Sequence, residues 1–288
     1  MRTSFSSTLS TMSDEEKVRI RKARQGLLYF FGMLIPLSIL CYVMLVKSPI
    51  FVLLLMWAPG LSSIFARLML REGISDISLR IGGKHTLKKL PGIVLFPVII
   101  GLFAYGIAWI TGLVQYVTPP DTLIKSPSVL IFVGAILTQM IFGTLIGVIT
   151  STGEELGWRG YMLTRLIDAG VPNPVLTSGV IWGLWHLPVM IFGNYYSGPY
   201  LSLSIVFFMI SVTSFSYILS YLRLTTGSVW AAIFLHAAWN AVIQDAFDLF
   251  SSGKNALLWT GESGVFVALA LLIAAVVISR KPLITRKL

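Results

Sequence analysis

The sequence predicts an all-α, polytopic transmembrane helix bundle of about eight spans with both termini in the cytoplasm, because two features of its composition and patterning coincide. Hydrophobic residues fill 56% of the 288 positions and charged residues only 12%, with a mean hydropathy of +0.83. A soluble domain carries about a quarter charged residues. The apolar residues also fall in runs close to the roughly 20 residues that a helix needs to cross the hydrocarbon core.

Taken in order, the runs are Leu27 to Val46, Ile50 to Leu70, Ile93 to Val114 and Val129 to Ile149. Val175 to Phe192, Leu201 to Leu222, Val229 to Phe247 and Val265 to Ser279 follow. The fifth and eighth are short, and polar groups interrupt the seventh. Residues 1–26 read as a polar cytoplasmic tail, helical in part near Asp14 to Arg24. Residues 27–280 form the bundle, and residues 281–288 a short basic tail. No cleavable signal peptide is expected, since the first apolar run follows a long charged stretch and can itself span.

Lysine and arginine set the orientation. Arg2, Lys17, Arg19, Arg21, Lys22 and Arg24 precede the first span. Arg71, Arg80, Lys84, Lys88 and Lys89 lie between the second and third. Arg159 and Arg165 follow the fourth, Arg223 follows the sixth, and Arg280, Lys281, Arg286 and Lys287 end the chain. The alternate loops hold only Lys47, Lys125 and Lys254. This bias places both termini in the cytoplasm. It also accounts for the net charge of +10 without nucleic acid, because the cations flank apolar runs instead of forming a patch. Asn173 and Pro174 read as an N-cap and first helical residue opening the fifth span, and Gly227-Ser228 opens the seventh. The single cysteine, Cys41, excludes an intrachain disulfide and reads as a small buried hydrophobe. Arg67 is expected to snorkel at the inner end of the second span. His85 reads as a solvated loop histidine. Asp245 and Asp248, near the outer end of the seventh span, carry no assigned role.

Ionisable groups inside a bilayer are costly and mark function or an internal pair. They gather in Gly153-Glu154-Glu155-Leu156-Gly157-Trp158-Arg159, in Trp182-Gly183-Leu184-Trp185-His186, and in His236-Ala237-Ala238-Trp239-Asn240. On a helix Glu155 and Arg159 share a face in the favourable order, which leaves Glu154, about 100° away, to project elsewhere. His186 lies roughly 18 Å and His236 roughly 12 Å into their spans from the cytoplasmic side. Asn240 follows His236 by one turn. Glu154 lies roughly 38 Å past Val129 along a helix, beyond a core of about 30 Å. To meet His186, its helix must tilt, start outside the core, or flank a water-filled cavity, and a cavity open to the cytoplasm is expected.

These three segments, in this order, resemble the CPBP family of CAAX proteases and bacteriocin-processing enzymes, also called the Abi family. The paired-glutamate EExxxR falls on Glu154, Glu155 and Arg159, the aromatic-xxx-histidine on Trp182 and His186, and HxxxN on His236 and Asn240. Phenylalanine is common where this chain has Trp182. The resemblance covers Gly153 to Asn240, and the first three spans match only as generic membrane helices.

The resemblance implies an intramembrane endopeptidase acting on prenylated CAAX proteins. Glu154, assisted by His186, would activate water. His236 and Asn240 would stabilise the oxyanion, and Arg159 would hold Glu155. The alternative is a bound zinc, with Glu154, His186 and His236 as ligands; a metal-free glutamate mechanism is the competing proposal for relatives. Expected partners are membrane lipid and a lipidated or hydrophobic peptide, in the cell membrane. A non-catalytic scaffold or immunity protein of the same fold is the rival reading. A transporter would need inverted repeats, which the sequence lacks, and a serine protease would need GxSG.

Overall fold

The computed structural model describes residues 13–74, 77, 79, 83–119, 128–193 and 195–281, with residues 83–85 described by backbone alone. The tail before Ser13, Arg80, Lys125, the segment 282–288 and the side chains of Lys84 and His85 lie outside the described residues.

Helix α1 (Asp14–Leu45) opens with Ser13, whose hydroxyl accepts from the Glu16 N–H, followed by three acidic residues in the first turn. This favourable start carries the expected helical part of the tail straight into the first span. Then come α2 (Phe51–Leu70) and α3 (Gly83–Ile110). Helix α4 (Ser128–Asp168) runs for 41 residues, interrupted by π-turns at Gln139–Gly143 and Trp158–Met162. Next are α5 (Pro174–Phe192), α6 (Leu201–Thr226) and α7 (Trp230–Trp239), the last continuing as a π-helical stretch, Asn240–Phe247. A short α8 (Ala256–Trp259) precedes α9 (Val265–Ser279). Strands β1 (Gln115–Tyr116) and β2 (Ser251–Ser252) pair antiparallel beyond the ends of α3 and α7.

The fold is an all-α membrane bundle. Among the described residues, six helices are long and apolar enough to cross a membrane by length and composition. These are α1 to α6; α9 is apolar but shorter, and α7 reaches spanning length only with its π-helical extension. The chain is a multi-pass membrane protein. Bilayer-facing positions are apolar, as Ile35, Ile39, Leu102 and Ile146 illustrate. Small residues let backbones approach inside. A Cβ on Gly153 would lie 2.7 Å from the Trp57 Cα, and one on Gly157 would lie 2.4 Å from the Pro59 carbonyl carbon. Two glycines one turn apart therefore let α4 lie directly on the middle of α2.

That contact sets Glu154 level with mid-α2. The start of α4 is tied to the segment after α3, where the Tyr116 hydroxyl donates to the Ser128 carbonyl at 3.0 Å.

Three local expectations are corrected. Asn173 occupies the N-cap position of α5 with Pro174 behind it, but its backbone is left-handed and its side chain makes no capping bond. Gly227, left-handed at φ 67°, closes α6, and only Ser228 serves α7, its hydroxyl accepting from the Trp230 N–H. Arg67 is buried and does not snorkel. It donates to the carbonyls of Gly73 (2.8 Å) and Gly160 (3.2 Å) and lies over the Tyr161 ring. The close packing of α4 covers it, and backbone carbonyls replace water. Cys41 is buried, as expected.

Candidate active site

Helix α4 supplies the two glutamates, and the close α2–α4 contact withdraws both from solvent: Glu154 is 3% exposed and Glu155 not at all. Glu154 Oε2 accepts from two indoles, Trp182 Nε1 at 2.8 Å and Trp158 Nε1 at 3.2 Å. Both donors converge on one oxygen, so the other, Oε1, is the one presented to the cavity that Glu154 lines. Trp182, which stands where phenylalanine is common, thus contributes a donor that phenylalanine lacks.

Glu155 points the other way, as adjacent helical positions require. Its Oε1 accepts from Arg159 Nη1 and meets His236 Nδ1, both at 2.8 Å. The Arg159 pairing is the expected one. The His236 contact spans two helices and was not anticipated. Arg159 is fully buried, and its guanidinium lies over the Trp182 ring, 4.2 Å from the centroid. One carboxylate therefore ties α4 to α7, and one cation ties α4 to α5.

Both histidines have their tautomer set by the partner of Nδ1. His186 Nδ1 lies 2.9 Å from the Trp182 carbonyl, an acceptor only, so Nδ1 carries a proton and Nε2 is left for the cavity. Against the Glu155 carboxylate, His236 Nδ1 is also a donor, which leaves its Nε2 for the cavity. The His186 ring is held among Trp185, Tyr195 and Phe208. Helix α5 is itself pinned to α1 at this level. Trp185 Nε1 donates to Ser38 Oγ at 2.8 Å, and the Tyr42 hydroxyl donates to the Trp185 carbonyl. These bonds lie just before Pro188, whose missing N–H leaves the helix a bond short. Asn240 opens the π-helical stretch of α7, and its Oδ1 accepts from Gln244 Nε2 at 3.4 Å.

Glu154, Trp182, His186, His236 and Asn240 all line one cavity of about 700 Å³. Glu155 and Arg159 stand behind it, as supports.

Residues 135–242 match the family described as Rce1-like, type II CAAX prenyl endopeptidase. CAAX prenyl protease 2 of Methanococcus maripaludis is 30% identical over 93 residues, which are 31% of this chain. The chain spans about a third of the length of that curated relative, 34%. These findings agree with the CPBP resemblance carried by the three motifs.

The Rce1-like segment does not enclose the cavity alone. Tyr42 and Val46 of α1, Val52 and Met56 of α2, Leu271 of α9 and Glu262 before α9 complete it. Sequence reasoning missed Glu262, Gln244 and Tyr195. Gln244 carried a signal, standing four residues beyond Asn240 as Asn240 does beyond His236. Glu262 carried little more than its charge in a short link between apolar helices.

Two residues that line the cavity at the C-terminal ends of α1 and α5, Val46 and Phe192, are 87% and 82% exposed. Lys22 and Arg165, each paired with Glu72, mark the opposite end. That basic end is the one the charge pattern assigns to the cytoplasm. On the charge-derived orientation these exposed lining residues lie at the non-cytoplasmic end. His186 lies about six residues, roughly 9 Å, from the far end of α5.

Among the described residues, no three His, Cys, Asp or Glu side chains are grouped to hold a metal ion, and Glu154 Oε2 accepts from two indoles.

Proposed function

We propose that the protein is an intramembrane endopeptidase of the CAAX prenyl protease type, which hydrolyses a peptide bond in a lipidated or membrane-associated peptide within the cell membrane. The observation that carries this reading is the convergence of Glu154, His186, His236 and Asn240, from α4, α5 and α7, on one largely buried cavity. The name of the archaeal relative supports the substrate class. So does a wall of Val43, Val46, Val189 and Phe192, apolar enough to take an isoprenoid or acyl chain.

Glu154 Oε1 takes a proton from water as the water oxygen attacks the peptide carbonyl carbon. His186 Nε2 orients that water. The carbonyl oxygen gains negative charge, which the Asn240 Nδ2 amide and His236 meet. His236 donates from Nε2 in its imidazolium form, with Glu155 as counter-ion. As the tetrahedral carbon collapses, the carbon–nitrogen bond breaks and the proton held by Glu154 passes to the departing amine. Donors set in advance toward the developing oxyanion in a dry site are the largest catalytic term in such reactions.

The test is cleavage of farnesylated CAAX-type peptides by purified, detergent-solubilised protein, beside Glu154→Ala and with a strong chelator. Turnover is expected in the wild type, reduced at least ~100-fold in Glu154→Ala and unchanged by the chelator. Chelator-sensitive turnover would replace the metal-free mechanism with the zinc one. A folded but inert wild type would favour the scaffold reading.

A further inference from the structure

Outside the motifs, one more carboxylate lines the cavity. Glu262, in the link between α8 and α9, is 8% exposed and is surrounded by donors. Tyr195 Oη donates to its Oε2 at 2.8 Å, and Trp239 Nε1 (2.8 Å) and Gln244 Nε2 (3.0 Å) donate to its Oε1. An ionised carboxylate only accepts, so its neighbours have no choice of orientation. Gln244 must turn its NH2 group, not its carbonyl, toward Glu262.

The same NH2 group reaches Asn240 Oδ1 at 3.4 Å and the Tyr195 oxygen at 3.3 Å. A reversed Asn240 would set one NH2 group against another. With Oδ1 held by Gln244, the Asn240 Nδ2 donors are turned toward the cavity that Glu154 and His236 share. We infer that Glu262 is a positioning residue for Asn240, acting through the Gln244 amide to present Asn240 Nδ2 to the developing oxyanion.

This rests on the proposed protease reading and adds to it a control of the oxyanion donor from outside the three motifs and outside the Rce1-like segment. It also gives a part to a carboxylate in the cavity wall that meets no cation among the described residues. There the contacts made by Glu262 are to neutral donors. Its work is to accept, so a neutral acceptor of the same shape can do it. In Glu262→Gln, the amide oxygen still receives Trp239 and Gln244, and the amide nitrogen donates to the Tyr195 oxygen, which turns its hydrogen away.

The experiment measures kcat and KM for a farnesylated CAAX peptide in wild type, Glu262→Leu, Gln244→Leu, their double variant and Glu262→Gln. Folding of each is followed by dye labelling of Cys41. The two leucine variants are expected to lower kcat about 10- to 100-fold, the scale of a misplaced catalytic group, with KM changed less than about twofold. The double variant is expected to be no slower than the slower single, because both interrupt one chain. Glu262→Gln is expected to recover most of the turnover. The inference is overturned if the two losses multiply, if they fall on KM, or if Glu262→Gln is as impaired as Glu262→Leu. Should Glu262→Leu not fold, Gln244→Leu carries the comparison with Glu262→Gln. An inert wild type would overturn the protease reading and this inference with it. An active wild type with unaffected leucine variants would overturn this inference alone.

Discussion

Glu155 is the residue whose removal should disturb the bundle most. It is fully buried, and one of its oxygens serves both Arg159 and His236 at 2.8 Å. Glu155→Ala leaves the fully buried Arg159 guanidinium without its carboxylate, and breaking a buried pair from one side costs about 3–5 kcal/mol. Arg159→Met differs. Glu155 keeps His236, and methionine fills part of the space over Trp182, so the loss should be nearer the ~1.5–3 kcal/mol of one charge-assisted hydrogen bond. At roughly 2–4 °C per kcal/mol for chains approaching this size, Glu155→Ala should lower the melting temperature by about 10 °C and Arg159→Met by about half that. The assay is built into the chain: Cys41 is its single cysteine and is buried, so a thiol-reactive dye in detergent reports unfolding. Equal shifts for the two variants would refute the argument that Glu155, not Arg159, is the shared node.

The other predictions concern packing, pH and sidedness. Gly157→Ala forces a methyl group to within 2.4 Å of Pro59 backbone. It should cost about 1–3 kcal/mol and lower activity by displacing Glu154, whereas Gly106→Ala, with open space around it, should melt no lower than wild type. Burial raises the Asp248 carboxyl from its ordinary 3.8 to about 7, against hydrogen bonds from Tyr105 and Tyr196 that pull it down. The folded state therefore holds this proton more tightly than the unfolded chain. Its contribution is present below about pH 4 and lost as pH rises through about 7, so melting temperature should fall over that interval and fall less in Asp248→Asn. In a Cys41→Ser background, Phe192→Cys should react with a membrane-impermeant maleimide on intact cells. Labelling only after permeabilisation would reverse the orientation drawn from the basic residues.

Much of the architecture was legible because a bilayer imposes a length and a composition on every segment that crosses it. The runs ending at Leu70, Phe192 and Ser279 close within a residue of their helices. Elsewhere the helices outrun their apolar runs: α1 and α3 begin earlier, and α4 and α6 end later, in charged sequence that hydropathy does not count. The Glu155–Arg159 pair was equally legible, since a four-residue spacing determines a shared helical face. The motif residues were recognisable by type and order alone.

What remained hidden depends on contacts between segments distant in the chain. No spacing rule couples His236 to Glu155, Trp182 to Glu154, or Glu262 through Gln244 to Asn240. Helix packing makes those pairings, and packing turns on close approaches such as Gly157 on Pro59. The position of the cavity between the spans was hidden for the same reason. A sequence states how far a residue lies from the start of its own span, but the void between spans belongs to none of them. Secondary structure and membrane insertion follow from properties each segment carries by itself. The orientation of a carboxylate, the tautomer of a histidine and the exposed face of an amide are settled only by the neighbours that tertiary structure brings.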